Sequence, residues 1–396
     1  MNLLNPPFDF KESDFDGGYI LFKDFRKHQY KMLYTFLKTG IEYLSDQNQN
    51  YLELRDITIS DKFTYNGVNN NELLEIEVYV YNKIHDVQKL FLKTYIPRLI
   101  DNTYFVLNGN YYIPTIYILD KPIVVKSSSV KLYGLFNSLT IHAKDDVCIF
   151  SRLNILLSYF LQLFYKETTD EYLYNNTATK FNLPKINHDH ADIINYFNNL
   201  FNIQKTTRNQ IIRHLENMFF DEYTKKLYQA CYNYDSITLY DIIKYSLVML
   251  LNEEKPSFVD LSNKRLVFME LLLSPFLKKM SNAAQQANNN YYIDEIKIDL
   301  LELVKHFTRT TSKSSKTNND GLDGNYLYNI ANLYNGVVAN KCCFVNPRSS
   351  NPPSEIAATH PTQFKKICPI TVADMDPGHT VSIVPDTVFD MYGNFI

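Results

Sequence analysis

Between Tyr51 and Asp120 apolar and polar residues alternate, and this pattern limits the fold more than any other feature of the chain. In "YLELRDITISDKF" and "LLEIEVYVYNKI" every second side chain falls on one face, the period of a half-buried strand. The intervening "NGVNNNE" reads as a hairpin turn. Strands resume over residues 88–120 around Asn108-Gly109, a dipeptide suited to two-residue hairpin loops because it tolerates positive φ. The period then lengthens. Over residues 149–250, "IFSRLNILLSYFLQLFYK", "ADIINYFNNLFN", "RNQIIRHLENMFF" and "LYDIIKYSLVMLL" place apolar residues at helical spacing. Residues 20–45 predict one amphipathic helix, and residues 264–286 another, kinked at Pro275. Strands followed by a run of helices predict an α+β protein rather than alternating α/β.

The rest of the chain is less regular. "KHFTRTTSKSSKTNNDGLDG" is basic, polar and rich in Ser and Thr, as loops are. Beyond it Pro347, Pro352, Pro353, Pro361, Pro369 and Pro377 favour extended, irregular backbone. A length of 396 residues allows two to three domains. The net charge of −3 argues against nucleic-acid binding over the whole surface but leaves room for a local basic channel. Five cysteines without a CxxC argue against a disulfide framework and for a reducing compartment. No secretory signal pattern and no run of eighteen apolar residues is present, so a cytoplasmic protein without a membrane partner is expected. The excess of Asn, Tyr, Ile, Phe and Lys follows AT-rich codons and is read as a property of the genome.

Self-contained chemistry is hard to find. There is no GxxxxGK[ST] and no GxGxxG. "NHDHAD", with His188, Asp189 and His190, fits no standard metal spacing, and a solvated helix start is the plainer reading. Cys342, Cys343, His360, Cys368 and His379 invite a zinc site, but adjacent cysteines in extended backbone face opposite ways, so packed thiols are preferred. Asp374 and Asp376 resemble paired magnesium carboxylates, a pattern common by chance. The residues alone therefore describe a binding or scaffold protein without an active site of its own.

Three segments carry a resemblance. "HPTQFKKICPI" matches the pattern H-P-T-x-aromatic-x-basic-aliphatic-C-P-I through His360, Pro361, Thr362, Phe364, Lys366, Ile367, Cys368, Pro369 and Ile370. "DLSNKRLVFMELL" resembles D-x-x-G-N-[KR]-R-[LIV]-x-x-x-[GA]-E/P-L-L through Asn263, Lys264, Arg265, Leu266 and Leu271. "IPRLIDNTYFVLNGNYYIP" matches a third through Pro97, Asp101, Phe105, Val106, Asn108 and Gly109. In this order they resemble the beta subunit of multisubunit DNA-directed RNA polymerases, over the N-terminal half of that family. The chain is thus similar to the first part of a split beta subunit, of the kind large bacteriophages encode. Two departures stand out. Lys365 occupies the position of a family glycine, and Cys342 and Cys343 stand where the family typically has arginines, with Lys341 retained.

The resemblance implies a multidomain α+β fold. Residues 1–125 and 251–320 would form a protrusion, residues 126–250 a mostly helical reduced lobe, and residues 321–396 an irregular fork beside the RNA–DNA hybrid, ending at the split site. It implies nucleotidyl transfer by the assembled enzyme, with no catalytic residue in this chain. Magnesium would be held by a beta-prime-like partner, not here. Further partners would be the C-terminal beta fragment, a candidate promoter-specificity subunit, the DNA template and the RNA transcript. The location would be the cytoplasm of the infected bacterial host, or the virion. Lys341, Arg348, His360, Lys365 and Lys366 are the candidate nucleic-acid contacts, with solvated loop charges as the alternative. Asn108, Gly109, Lys264, Arg265, Pro361, Thr362, Cys368, Pro369 and Asp376 are expected to be structural. Lys305, Arg309, Lys313 and Lys316 would either follow DNA phosphates or belong to a solvated loop. The competing reading is a non-catalytic virion or scaffold protein.

Overall fold

The structure, a computed structural model, describes residues 18–47, 52–66, 69–101, 104–107, 109–114, 116–126, 128–150, 153–164, 171–183, 190–201, 206–252, 257, 259–273, 276–279, 282, 296–297, 327–329, 341–344, 360–368 and 380–396. It mixes helix and strand as an α+β protein. In chain order come β1 (Ile20–Leu21), α1 (Phe22–Lys31), α2 (Leu33–Gln47), β2 (Leu52–Asn66), β3 (Asn69–Asn82), β4 (Val87–Pro97), β5 (Phe105–Leu107), β6 (Asn110–Pro114) and β7 (Ile116–Asp120). They are followed by β8 (Ile123–Val125), β9 (Ser129–Tyr133), β10 (Ser138–His142), β11 (Val147–Phe150) and β12 (Leu153–Leu156). Next are α3 (Leu157–Phe164), α4 (Glu171–Phe181), α5 (His190–Phe201), α6 (Arg208–Phe219), α7 (Glu222–Tyr232) and α8 (Leu239–Leu251). The last described elements are β13 (Lys264–Val267), α9 (Met269–Leu272), β14 (Ile296–Lys297), β15 (Leu327–Asn329), β16 (Lys341–Phe344), β17 (Thr380–Ser382) and β18 (Val388–Phe389).

The chain divides into two units, one of Met1–Leu119 with Ser257–Ile396, the other of Asp120–Pro256. In the first unit α2 buries Leu33, Phe36, Leu37, Ile41 and Leu44, one stripe at helical spacing, and packs against β2. Strand β3 buries Leu74, Ile76, Val78 and Val80. Its alternate residues Glu75 and Glu77 meet the Lys93 ammonium from β4 at 2.9 and 2.5 Å on the wet face. This is the alternation visible in the sequence. The β5–β6 hairpin closes on the pair Leu107↔Asn110, with Gly109 at φ +75°. Strand β18 pairs with β1, and Phe389 sits against Phe22, Phe25 and Phe395 with ring centroids 4.8–6.1 Å apart. Gly393 lets its strand lie against β13: the Leu266 N–H donates to its carbonyl at 2.8 Å.

The second unit is an antiparallel sheet in the order β12-β11-β10-β9-β8. Its inner face buries Ile123, Val130, Leu132, Leu139, Ile141, Cys148, Phe150 and Ile155 in one core with residues of α3, α5, α6, α7 and α8. Each such side chain taken fully from water contributes roughly 1.5–3 kcal/mol. Helix starts are defined by capping boxes at Thr207/Gln210 and Thr238/Asp241. Asp221 caps α7, accepting from the Thr224 N–H at 2.8 Å and its hydroxyl at 2.5 Å.

Several expectations are corrected. The single helix over residues 20–45 is two, because the Met32 N–H is shared between the carbonyls of His28 and Gln29 and tightens the turn there. The helix expected from residue 149 begins only at Leu157. Val147–Phe150 is bonded on both sides, to β10 and to β12, and buries alternate residues Cys148 and Phe150. The region 126–250, expected to be mostly helical, therefore starts with strands. Lys264–Val267, expected to be helical, is a strand with four consecutive buried residues, a pattern that suits a strand covered on both faces. The C-terminal region is less irregular than expected, since β16 runs parallel to β7 and antiparallel to β17 inside a four-stranded sheet. Pro275, the "NGVNNNE" turn at residues 67–68 and the basic segment 302–316 lie outside the described residues. Among the described residues no helix is long and apolar enough to cross a membrane.

Two predictions follow from this scaffold. A Cβ on Gly393, at φ +84°, would stand 2.1 Å from the Leu266 carbonyl oxygen. Gly393→Ala should cost more than about 2 kcal/mol, read as an earlier denaturation midpoint. For Asp221, burial pushes the carboxyl up to about 6, and the Thr224 hydrogen bonds offset only part of that. A raised acid favours the folded state below its ordinary value near 4, and that contribution is lost as pH rises through about 6. Asp221→Asn, which keeps a capping oxygen, should remove roughly 2–3 kcal/mol of stability change between pH 4 and pH 7 in denaturant titrations.

Candidate functional site

Residues 360–368 form a compact turn built from its own sequence and locked by distant partners. His360 precedes a single 3₁₀ turn (Pro361–Gln363), with Pro361 in the first position, where its missing N–H costs nothing. The His360 Nδ1 lies 2.8 Å from the Thr362 hydroxyl. The chain then reverses through a type II turn: Phe364 has φ −59° and ψ 133°, Lys365 has φ +62°, and the Lys366 N–H donates to the Gln363 carbonyl at 3.0 Å. Type II turns favour glycine at their third residue, and Lys365 stands there.

The turn docks on residues 259–263. The Leu261 N–H donates to Thr362 Oγ1 at 2.9 Å, and Gln363 Nε2 donates to the Val259 carbonyl at 2.8 Å. Asp260 caps the 3₁₀ turn Leu261–Asn263, accepting from the Ser262 N–H at 2.9 Å and from Asn263 Nδ2 at 3.1 Å. Its carboxylate also lies 3.6 Å from His360 Nδ1. Burial pulls this carboxyl upward, but hydrogen bonds from Ser262 and Thr362 and the nearby imidazole outweigh it and hold it below the usual range. On the other flank the Cys368 N–H donates to the Ser382 carbonyl and the Val384 N–H to the Lys366 carbonyl, each at 2.9 Å.

The expected site residues have different fates. Lys365 is exposed, and its ammonium makes no hydrogen bond or ion pair among the described residues. Lys366 turns inward: its Nζ lies 5.7 Å from the centre of the Phe395 ring, and burial lowers its affinity for the proton. His360 is half-buried against Asp260. Lys341 is the first residue of β16, paired with Ser382, so its backbone belongs to the sheet that flanks the turn. Lys264 and Arg265 are buried, 3% and 7% exposed, and the Arg265 guanidinium makes two 2.6 Å bonds to the Glu270 carboxylate. Phe105 stacks on Phe268 with centroids 6.4 Å apart, which joins the segment containing Gly109 to β13 and its flank. Asn108, Arg348, Pro369 and Asp376 lie outside the described residues, as do His188, Asp189, Asp374 and His379.

Sequence reasoning missed Asp260, Gln363, Glu270 and the closing segment 380–396. Asp260 had a local signal, an acid two residues before Ser262 in a capping arrangement. Gln363 and Glu270 had none, since their partners are set by tertiary contact. Compared with known proteins, the chain matches no protein-family model and no curated protein.

The left-handed backbone at Lys365 gives a direct test. Lys365→Gly should be neutral or stabilising by up to about 1 kcal/mol, because the steric cost at positive φ disappears while unfolded-chain entropy rises. Lys365→Ile, β-branched at the same φ, should cost roughly 1–2 kcal/mol. Thermal unfolding of the two variants beside wild type decides this; destabilisation by Gly matching that by Ile would contradict the turn assignment.

Proposed function

We propose that this chain serves as an N-terminal, protrusion-to-fork portion of the beta subunit of a multisubunit DNA-directed RNA polymerase, walling the channel that holds DNA and the RNA–DNA hybrid. The observation that carries this reading is the junction between residues 259–263 and 360–363. The two segments were singled out for resembling polymerase motifs, stand about a hundred residues apart, and interlock through their own side chains and backbone. A chance pair of matches has no reason to meet. A second observation agrees: Lys365, at the position of a family glycine, has the positive φ that a glycine would serve.

On this reading the chain contributes no catalytic group. Template-directed nucleotidyl transfer, and the magnesium it needs, belong to a beta-prime-like partner. The role of this chain is mechanical and electrostatic. Rigid turns shape the channel, and lysines such as Lys365 neutralise phosphates without reading sequence. Lys366, folded over Phe395, acts mainly in holding the turn to the C-terminal segment.

The test is an affinity pull-down of the tagged full chain from its native source, followed by templated RNA synthesis. Large partner chains and template-dependent RNA are expected. Recovery of the folded chain alone, without activity, would overturn the polymerase reading and favour the scaffold alternative.

A further inference from the structure

The tip of the type II turn points to how the chain would hold nucleic acid. Phe364 is 76% exposed, an extreme value for a side chain with no polar atom. It is held there rather than left there. Gln363 before it is tied to Val259, the Ile367 N–H donates to the Gln363 carbonyl at 3.0 Å, and Ile367 is buried and bridged to Ile383. The next residue, Lys365, is exposed in a backbone conformation that glycine would hold with less strain. Among the described residues both side chains stand in solvent rather than in the core. A fixed turn thus presents an exposed aromatic face and a positive charge side by side, on backbone that is already ordered before any ligand arrives.

We propose that Phe364 is a stacking platform for a base of single-stranded nucleic acid, with the Lys365 ammonium on the adjoining phosphate. An exposed aromatic ring beside a cation is how proteins hold single strands without reading sequence: every base has a face to stack, and every linkage has a phosphate. A protein pocket would also accept the ring, but it gives no use for the exposed Lys365 charge next to it, which has no ion-pair partner among the described residues. The inference rests on the nucleic-acid role proposed above, and it assigns that role to a ring that the role itself does not require.

The experiment is fluorescence anisotropy of the full chain with a labelled single-stranded oligothymidylate and with a duplex of the same length at low salt. Phe364→Ala should weaken single-strand binding about 5- to 150-fold, the range for loss of one stacked base. Phe364→Tyr should retain binding, whereas Phe364→Leu, apolar but not aromatic, should be nearly as weak as Phe364→Ala. Duplex binding should be unchanged in all of them, and so should the melting temperature, given the exposure of the ring. If Phe364→Ala and Phe364→Leu bind like wild type while Lys365→Ala weakens binding, stacking is refuted and the channel-wall reading survives. If oligonucleotide binding is unchanged but Phe364→Ala loses the partner chains in the pull-down, the ring docks on protein and the proposal falls. If the folded wild-type chain binds neither probe, the proposal falls as well, and the polymerase reading is then decided by RNA synthesis alone.

Discussion

One contact organises the candidate site: the Leu261 N–H donating to the Thr362 hydroxyl. Its net worth is modest, on the order of 1 kcal/mol. Its geometric effect is larger, because it sets the first residue of one 3₁₀ turn against the middle residue of the other. Gln363 reinforces it through the Val259 carbonyl, and Asp260 joins from the side through His360. Bringing together segments a hundred residues apart is affordable, because closure entropy grows only with the logarithm of loop length. A few well-aimed hydrogen bonds and a buried flank are enough.

The flank comes from the end of the chain. Phe389 fills the space between Phe22 and Phe25, and Phe395 lies against it. Gly393 is the only residue type that lets this segment come so close to the Leu266 carbonyl. In the first unit β1 pairs with β18, which joins residues 20–21 to residues 388–389. Such non-local pairing forms late and slowly in folding. The candidate turn is tied to the same C-terminal segment through the bonds that join Lys366 and Cys368 to residues 382–384.

Charge is sorted by the same geometry. Two adjacent lysines in one turn are directed oppositely: Lys365 into water and Lys366 over an aromatic ring. Arg265, one residue from Lys264 in a fully buried strand, is neutralised by a bidentate Glu270. A buried pair of this kind is costly to break, since removing one partner strands the other charge.

The sequence by itself determined what depends on near neighbours. The β2–β3–β4 meander was legible because side chains alternate with the pleat, and the Asn108-Gly109 turn because positive φ has few tenants. Helices α3, α5, α6 and α8 of the second unit were legible from their apolar stripes; α4, α7 and the strand order were not. It also marked residues 260–272 and 360–370 as special through resemblance, without saying that they touch. Only the tertiary structure decided that Lys264–Val267 is a strand, since four consecutive buried positions fit a covered strand and a buried helix equally until neighbours on both sides exist. The same holds for Val147–Phe150 and Leu153–Leu156, where cross-strand bonds overrode helical spacing. Which lysine faces solvent, and that Phe364 stands in water, follow from a turn whose hand is set by hydrogen bonds to Val259, Leu261 and Ser382. Val259 and Leu261 lie 104 and 101 residues away from their partners, so no window of local sequence contains them.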